Sequence, residues 1–278
     1  MNTREYFLPQ SVNEATQLLA KHGPFMLVMA GGTIAMPLIN DGISFPQKVM
    51  GLRRAGLSYV TKPNGKITIG AMSTLTQMLD LKEIPILQEA AHQVGGWAIR
   101  NMGTVGGNLF APPPAGDFAA ALMALDAQLK LVSTAGARII SLTDFYTGFM
   151  TTALSPGELV TEIQVPVPTG KTAYLKYGRK HANTPAVVTV AAQIELDGEG
   201  VTNSRIALNA VGPHPIRASK AEEILSGSPL NPTTINMAAS AAAEECEPFS
   251  DAIATEWYRR KMVEVYVRRT LTKITDRR

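Results

Sequence analysis

The hydrophobic pattern at the start of the chain predicts a helix followed by a short buried strand. Ser11 and Glu14 have the spacing of a capping box, in which two side chains satisfy free amides of the first helical turn. Apolar residues at helical spacing continue to residue 21, and Gly23 ends the pattern. The apolar run at residues 25–29 then predicts a strand that leads directly into a pair of glycines.

The next part of the chain, up to residue 165, alternates between short apolar runs and amphipathic segments. Asn64-Gly65 lies between two such runs and favours a tight hairpin turn. Three prolines at 112–114 interrupt regular structure, so Asp117 is expected on a rigid, exposed loop or at the start of a helix. We predict strands at residues 48–52, 67–71, 128–132, 138–141 and 159–165, and helices at 74–81, 85–94 and 117–125.

Prolines and a glycine cluster at residues 166–170, where we expect a domain boundary. Beyond it, longer apolar and β-branched runs are followed by helical patterns. The last helix repeats Val263, Val267, Leu271 and Ile274 on one face, which is expected to be buried. The predicted strands are at 173–176, 186–196 and 204–211, and the predicted helices are at 218–225, 235–246 and 255–274.

This order of elements indicates an α+β protein whose strands are grouped in hairpins rather than in a strict alternation with helices. The fingerprint Gly-x-Gly-x-x-Gly is absent, so a Rossmann domain with NAD has no support. Gly170-Lys171-Thr172 resembles the end of a P-loop, but Val165 stands where that motif needs its first glycine. We therefore expect no ATP site of that kind.

Two glycine turns are the candidates for ligand binding. The first is Met29-Ala30-Gly31-Gly32-Thr33, and the second is Arg100-Asn101-Met102-Gly103-Thr104-Val105-Gly106-Gly107-Asn108. Glycine has no Cβ, so a ligand can come close to the backbone, and successive N–H groups of such a turn can bind an anion. A single Gly-Gly pair is more often a simple tight turn. Two turns of the same composition, each with a threonine hydroxyl, could together bind one ligand with several phosphates.

Composition narrows the possible functions. Hydrophobic residues make up 45% of the 278 residues and charged residues 18%, as in globular proteins with a filled core. The net charge of +3 is too balanced to favour nucleic acid or an anionic membrane as a partner. Cys246 is the single cysteine, and the four histidines lack metal-ligand spacing. This excludes an intrachain disulfide, an iron–sulfur cluster or a structural zinc site held by this chain alone.

The two ends of the chain lead to further expectations. Residues 1–6 show no apolar run behind a basic start, so no signal peptide is expected. No window holds about 18 uninterrupted apolar residues, so no membrane span is expected and the cytoplasm is the expected location. Basic residues near the C-terminus are interpreted first as the solvated face of a helix and second as a docking face. They are Arg259, Arg260, Lys261, Arg268, Arg269, Lys273, Arg277 and Arg278.

The two glycine turns also carry a family resemblance. Ala30-Gly31-Gly32-Thr33, the turn at 100–108, and Asp117 nine residues after Asn108 resemble the flavin subunits of the molybdenum hydroxylases. Within this xanthine dehydrogenase family, the chain resembles the medium subunits of the carbon monoxide dehydrogenase type, from Tyr6 to about Ile274. The resemblance implies a two-subdomain FAD-binding domain of the vanillyl-alcohol oxidase/p-cresol methylhydroxylase type, followed by a smaller α+β C-terminal domain. The implied ranges are 1–169, with subdomains of about 1–55 and 56–169, and 170–278.

The resemblance also implies which residues bind FAD. Amides of the first turn would hold the pyrophosphate, and Asp117 would bond to polar groups of the sugar or ribityl part, although Asp117 alone also fits a helix N-cap. Lys176 would lie near the isoalloxazine, where a cation favours the reduced, anionic flavin. A family loop near the flavin often has aspartate and then an aromatic residue, where this chain has Asn183-Thr184-Pro185. The implied cofactor-binding residues are Met29, Ala30, Gly31, Gly32, Thr33, Ile34, Ala35, Gly103, Thr104, Val105, Gly106, Gly107, Asn108, Asp117, Val160 and Lys176, and no catalytic residue or metal ligand is implied.

By this resemblance, the chain is the FAD-carrying electron-transfer subunit of a heteromeric oxidoreductase. A large partner subunit would hold a molybdenum–pterin cofactor, and a small partner would hold two [2Fe–2S] clusters. Electrons would pass from the clusters to FAD in this chain and then to an external acceptor. The assembly would be a dimer of heterotrimers.

Two other functions stay open from the sequence. A stand-alone flavin reductase of the UDP-N-acetylenolpyruvoylglucosamine reductase type shares the fold and a Thr-Val-Gly-Gly turn. It would need a catalytic serine or acid late in the chain, and the sequence has no such motif. The other alternative is a non-enzymatic α+β binding module.

Overall fold

The first sheet of the protein is parallel. The computed structural model describes residues 5–63 and 65–276. Strands β1 (Glu5–Phe7), β2 (Met26–Met29) and β3 (Lys48–Gly51) form this sheet, with β3 in the middle. Helix α1 (Val12–His22) with a 3₁₀ turn (Gly23–Phe25), and later helix α2 (Ala35–Asn40), provide the crossovers that parallel strands require. The expectation of hairpins is therefore wrong for this sheet, because both connections are long enough to cross over.

Helix α1 begins and ends where the sequence predicts, but one of the two hydrogen bonds of the predicted capping box has a different donor. The Ser11 hydroxyl accepts a hydrogen bond from the N–H of Glu14 at 3.2 Å. The Glu14 carboxylate accepts from the N–H of Gln10 at 2.7 Å, so the second half of the capping box is displaced by one residue. Gly23 ends the helix with a φ of 51°, a conformation that glycine adopts without strain.

The second sheet is antiparallel and spans the middle of the chain. Its strands are β4 (Val60–Thr61), β5 (Lys66–Gly70), β6 (Gln128–Ser133), β7 (Gly136–Ser141) and β10 (Leu159–Pro166), in the spatial order β4-β5-β10-β6-β7. A separate two-stranded ribbon consists of β8 (Tyr146–Gly148) and β9 (Thr151–Thr152). Asn64 of the predicted turn lies outside the described residues, while β4 and β5 on either side pair as a hairpin requires.

Short helices connect and cover this sheet. Thr74 caps the first of them, because its hydroxyl accepts from the N–H of Gln77 and the Gln77 side chain accepts from the N–H of Thr74. The helices are α3 (Leu75–Met78), α4 (Pro85–Gln93), α5 (Trp97–Met102), α6 (Val105–Asn108), α7 (Asp117–Ala124) and α8 (Leu142–Phe145).

The third sheet is antiparallel and is covered by the last helices. Its strands follow the chain in the order β11 (Lys171–Gly178), β12 (Ala186–Asp197), β13 (Gly200–Asn209) and β14 (Ile216–Arg217). The helices are α9 (Ser219–Leu225), α10 (Pro232–Glu245) and α11 (Glu256–Asp276).

Helix α7 joins the middle of the chain to the third sheet. All eight of its residues are buried, and it contacts α4 on one side and β12 and β13 on the other. A helix that is apolar on nearly every side, such as this alanine-rich segment, is stable only when protein encloses it. The position of α7 decides where its first residue, Asp117, is placed.

The C-terminal helix confirms one expectation and corrects another. Val263, Val267, Leu271 and Ile274 are all fully buried, as their spacing predicts. Arg259 is also fully buried, so the interpretation as a solvated face is wrong for this residue. The helix turns Arg259 inward because backbone carbonyls of the third sheet and Asp251 bind its guanidinium. Of the remaining basic residues, 277 and 278 lie outside the described part of the chain.

Candidate functional site

A cavity of about 650 Å³ lies where the first sheet, the second sheet, the start of α7 and β11 meet. It is of the size that small molecules and cofactors occupy. Val105 does not line it, because its side chain is fully buried in the hydrophobic core, and Met29 at the end of β2 does not line it either. The predicted residues that do line it are Ala30, Gly31, Gly32, Thr33, Ile34, Ala35, Gly103, Thr104, Gly106, Gly107, Asn108, Asp117, Val160 and Lys176.

The first glycine turn presents a row of free backbone donors to this cavity. The N–H groups of residues 31–35 have no acceptor within the described chain, and all five residues line the cavity. They directly precede or begin α2, so the dipole of that helix adds positive potential. These half-buried N–H groups need no rearrangement of the chain to donate to a bound anion. This arrangement is suited to a phosphate or pyrophosphate group.

The two glycine turns also pack directly against each other. A Cβ on Gly31 would overlap the carbonyl oxygen of Met102, and it would lie 2.7 Å from the carbonyl carbon. A Cβ on Gly107 would lie 3.3 Å from the Cβ of Ala30. The sequence suggested glycine here so that a ligand could approach. The structure adds a second requirement, because the two segments of backbone touch at these positions.

The second glycine turn contains a single turn of helix, α6. The Thr104 hydroxyl oxygen caps it by accepting from the N–H of Gly107 at 3.0 Å. Gly106 packs against the end of β5, where its Cβ would lie 2.7 Å from both the Cβ and the carbonyl oxygen of Ala71. The side-chain oxygen of Asn108 accepts from the N–H of Phe118 at 3.1 Å, which ties this turn to α7. The hydroxyl hydrogen of Thr104 and the amide NH₂ of Asn108 therefore stay available to a ligand.

A buried ion pair lies at the edge of the cavity. The Lys176 ammonium is 2.7 Å from Oδ2 of Asp117, and the two side chains are 5% and 6% exposed, respectively. Thr189 donates to Oδ1 of Asp117 at 2.7 Å, and Lys176 also donates to the Gln93 carbonyl at 3.1 Å. Both carboxylate oxygens of Asp117 thus have a partner from the third sheet.

Asp117 is the first residue of α7, which confirms the predicted helix start. The N-cap is Gly116, so the interpretation of Asp117 as N-cap is wrong. The exposed-loop expectation is also wrong, because the packing of α7 on β12 and β13 buries the aspartate.

The ion pair leads to a stability prediction. Lys176→Met should destabilise the protein by about 3 kcal/mol, because the buried Asp117 carboxylate would keep only the Thr189 hydroxyl as a side-chain donor. Asp117→Asn should cost a similar amount through the unpaired ammonium. The double variant removes both charges, so its loss should be clearly smaller than the sum in a double-mutant cycle measured by urea unfolding. Additive losses would contradict a coupled ion pair.

Glu158 is a cavity residue that its local sequence does not predict. Arg138 donates two hydrogen bonds of 2.7 Å to its carboxylate, and this lowers the pKa of Glu158 below its ordinary value. The N–H of Ser155 donates a further bond of 2.7 Å. Glu158 is therefore ionised at neutral pH with its charge compensated, which reduces its repulsion of an anionic ligand.

Apolar side chains form most of the remaining wall. Leu75, Ile99 and Val160 are among them, and the loop at residues 183–185 closes another side without an aromatic residue.

Thr189 is a partner of Asp117 that the sequence analysis did not identify. A threonine in the middle of the apolar strand β12 is a usable signal, because a buried hydroxyl needs a hydrogen-bond partner.

The cavity fits FAD by its donor set and its walls. A pyrophosphate requires N–H and hydroxyl donors, which the first turn and Thr104 supply, and planar rings require apolar walls. Within the residues that the structure covers, no group of three or more His, Cys, Asp or Glu side chains could hold a metal ion. No helix in that same part of the chain has the length and apolar character of a membrane span.

Two family matches cover nearly the whole chain. Residues 2–168 match the family described as the FAD binding domain in molybdopterin dehydrogenase. Residues 173–274 match the CO dehydrogenase flavoprotein C-terminal domain.

Several dehydrogenase subunits are similar to this chain over nearly their full length. The chain is 31% identical to the glyceraldehyde dehydrogenase medium chain of Sulfolobus acidocaldarius, over 97% of each chain. It is 32% identical to the carbon monoxide dehydrogenase medium chain of Afipia carboxidovorans, over 98% of this chain and 97% of the other. Its fold matches a chain of reconstituted CO dehydrogenase from Oligotropha carboxidovorans with a TM-score of 0.94 and 31% identity, covering 99% and 98% of the two chains. The expected α+β fold and FAD cofactor are thus confirmed, and the chain belongs to the FAD-binding flavoprotein subunits of the molybdopterin dehydrogenases, which are oxidoreductases.

Proposed function

We propose that this chain transfers electrons as the FAD subunit of a heteromeric molybdenum hydroxylase. When bound, FAD accepts electrons one at a time and delivers them in pairs, which connects iron–sulfur clusters to a two-electron acceptor. Two [2Fe–2S] clusters would belong to a small partner subunit, and the molybdenum–pterin cofactor to a large one. The relatives' description as medium chains supports partners of smaller and larger size.

The row of unpaired N–H groups at residues 31–35 carries this proposal. These donors, together with the Thr33 hydroxyl, bind the pyrophosphate without a buried lysine. The Thr104 hydroxyl and the Asn108 amide donate to the cofactor from the second turn. Met29 and Val105 act indirectly, because they set the positions of the two turns from inside the protein.

The opposite part of the cavity would bind the flavin ring. Lys176 places a positive charge at this region, and its ion pair with Asp117 holds the ammonium in position and compensates its charge. Asp117 would also orient the ribityl part of FAD, between the ring and the phosphates. Val160 would give the ring an apolar wall that water does not reach. No residue of this chain acts as a catalytic acid, base or nucleophile in the proposal.

We also propose that residues 1–169 form the FAD-binding domain, with subdomains of about 1–55 and 56–169, and that residues 170–278 form the C-terminal domain. The parallel sheet lies in the first subdomain, and the antiparallel sheet with the strand order β4-β5-β10-β6-β7 lies in the second. The C-terminal domain supplies Lys176 and Thr189, so the cofactor site needs both domains. The complete assembly is a dimer of heterotrimers.

The two alternative functions have less support. A stand-alone reductase would have self-contained relatives, whereas the relatives matched along the full chain are named as medium chains of dehydrogenases. A non-enzymatic binding module does not agree with membership of an oxidoreductase family. The relatives' names give different substrates, glyceraldehyde and carbon monoxide, so this chain does not identify the substrate of its own complex.

Native purification tests the proposed function. The protein is expressed from its own gene neighbourhood with a tag on this chain, and the eluate is examined by gel, visible absorbance and metal analysis. We expect flavin absorbance, iron, molybdenum and two further polypeptides. A chain that elutes alone with flavin would favour the stand-alone reductase. A chain that elutes alone and stays colourless after refolding with FAD would contradict the proposal.

A further inference from the structure

Large hydrophobic side chains are exposed around the FAD cavity. Within residues 5–63 and 65–276, fifteen such side chains are exposed, and eight of them lie on three short segments that help to line this cavity. Trp97 is 74% exposed at the start of α5, and Phe149 is 62% exposed in the turn between β8 and β9. We call the eight residues the apolar rim; they are Leu38, Ile43, Phe45, Trp97, Met102, Phe110, Phe149 and Met150.

The same segments are almost free of charge. Residues 26–47 contain one charged side chain, Asp41, residues 94–116 contain one, Arg100, and residues 145–157 contain none. The chain as a whole is 18% charged. Nη1 of Arg100 donates to the carbonyls of His92, Val94 and Gly95, so this part of its guanidinium is bound to its own chain. A surface that faced water permanently would normally carry many more charges.

This combination identifies the kind of partner. Aromatic residues and methionine are enriched, and charged residues depleted, in the buried centre of protein interfaces. Permanent interfaces are the most hydrophobic, whereas a partner that docks and leaves is usually guided by complementary charges. Leu38, Phe110 and Met150 also line the cavity, where bound FAD would contact them. The other five rim residues do not line it, and their apolar, uncharged surface fits a subunit that stays bound.

We propose that the apolar rim is the docking face for the subunit that carries the iron–sulfur clusters. The inference rests on the proposed function, because electrons must enter the cavity from a protein held at its edge. The docked subunit has a matching apolar, uncharged face and covers Trp97 and Phe149. The loop after β11 differs, because it also borders the cavity but carries exposed Arg179 and Lys180. That loop lies outside the docking face.

Single charges placed on the rim test this inference. Trp97→Glu and Phe149→Glu are each expressed together with the partner subunits, and iron recovered per molecule of this chain is measured. Neither side chain lines the cavity, so FAD content and the thermal unfolding midpoint should stay at wild-type values. Iron recovery should fall roughly tenfold or more, because an interface disfavours a buried carboxylate that has no partner. Met237→Glu is the matched control, since Met237 is 55% exposed on α10, away from the cavity, and it should assemble like wild type.

The outcomes separate this inference from the proposed function. If the wild-type chain recovers no iron-bearing partner, the proposed function itself fails. If the wild type assembles and both rim variants assemble as well as Met237→Glu, the docking face is overturned. If sedimentation shows that the isolated wild-type chain self-associates, and Trp97→Glu makes it monomeric without loss of iron recovery, the rim binds a second copy and the inference is also overturned.

Discussion

Replacement of Gly31 by alanine is expected to abolish stable FAD binding. The new Cβ would overlap the carbonyl oxygen of Met102 in the second glycine turn. A Cβ and a backbone carbonyl oxygen are both fixed by the backbone, so no change of side-chain rotamer can relieve the contact. The two turns must separate, and the row of N–H groups at residues 31–35 then loses its position relative to Thr104 and Asn108.

The expected loss has two measurable parts. Flavin retained per chain after desalting should fall roughly tenfold or more, and the free energy of unfolding should fall by about 2–3 kcal/mol, as for overpacking at a rigid site. Gly96→Ala is the matched control, because a Cβ at Gly96 meets no atom within 4 Å and its φ of −95° suits alanine. If Gly31→Ala keeps as much flavin as Gly96→Ala, direct contact between the two turns is not needed for binding.

The largest loss of stability is expected for Arg259→Met, at about 3–5 kcal/mol. Arg259 is fully buried, and its Nη1 donates to the carbonyls of Ala186, Val187 and Ala210 at 2.9–3.1 Å. Its Nη2 donates to both carboxylate oxygens of Asp251 at 2.9 and 2.8 Å. Removal of the guanidinium deprives several acceptors of a charged donor at once, and methionine can replace only its apolar stem.

Comparison with a partly exposed arginine on the same helix makes this test specific. Arg268 pairs with Glu264 one turn away and donates to the side-chain oxygen of Asn236 at 2.6 Å, and the side chains of Arg268 and Glu264 are 42% and 30% exposed. Arg268→Met should therefore cost no more than about 0.5 kcal/mol in urea unfolding. Arg259→Lys should recover only part of the loss, because an ammonium lacks the planar fork that reaches the carbonyls and the carboxylate together. An equal effect of Arg259→Met and Arg268→Met would mean that the desolvation cost of Arg259 cancels its hydrogen bonds.

Features that depend on neighbouring residues can be predicted from the sequence. Ser11 and Gly23 bound α1 because capping and a positive φ depend on residues within one turn. The buried face of α11 follows from helical spacing, and the β4–β5 hairpin from alternating polarity around a tight turn. The two glycine turns and the family resemblance were likewise visible in short motifs, and the matched family confirms FAD as the cofactor.

Contacts between residues far apart in the chain depend on how the elements pack, so they became visible in the folded structure. Apolar spacing specifies that a strand is buried but not which strand lies beside it, so the parallel pairing of β1 and β2 with β3 was missed. Asp117 looked exposed because three prolines precede it, yet the burial of α7 against the third sheet brings Lys176 and Thr189 to its carboxylate. A charged side chain in a sequence carries no record of its partner, because that partner is set by packing between segments far apart in the chain.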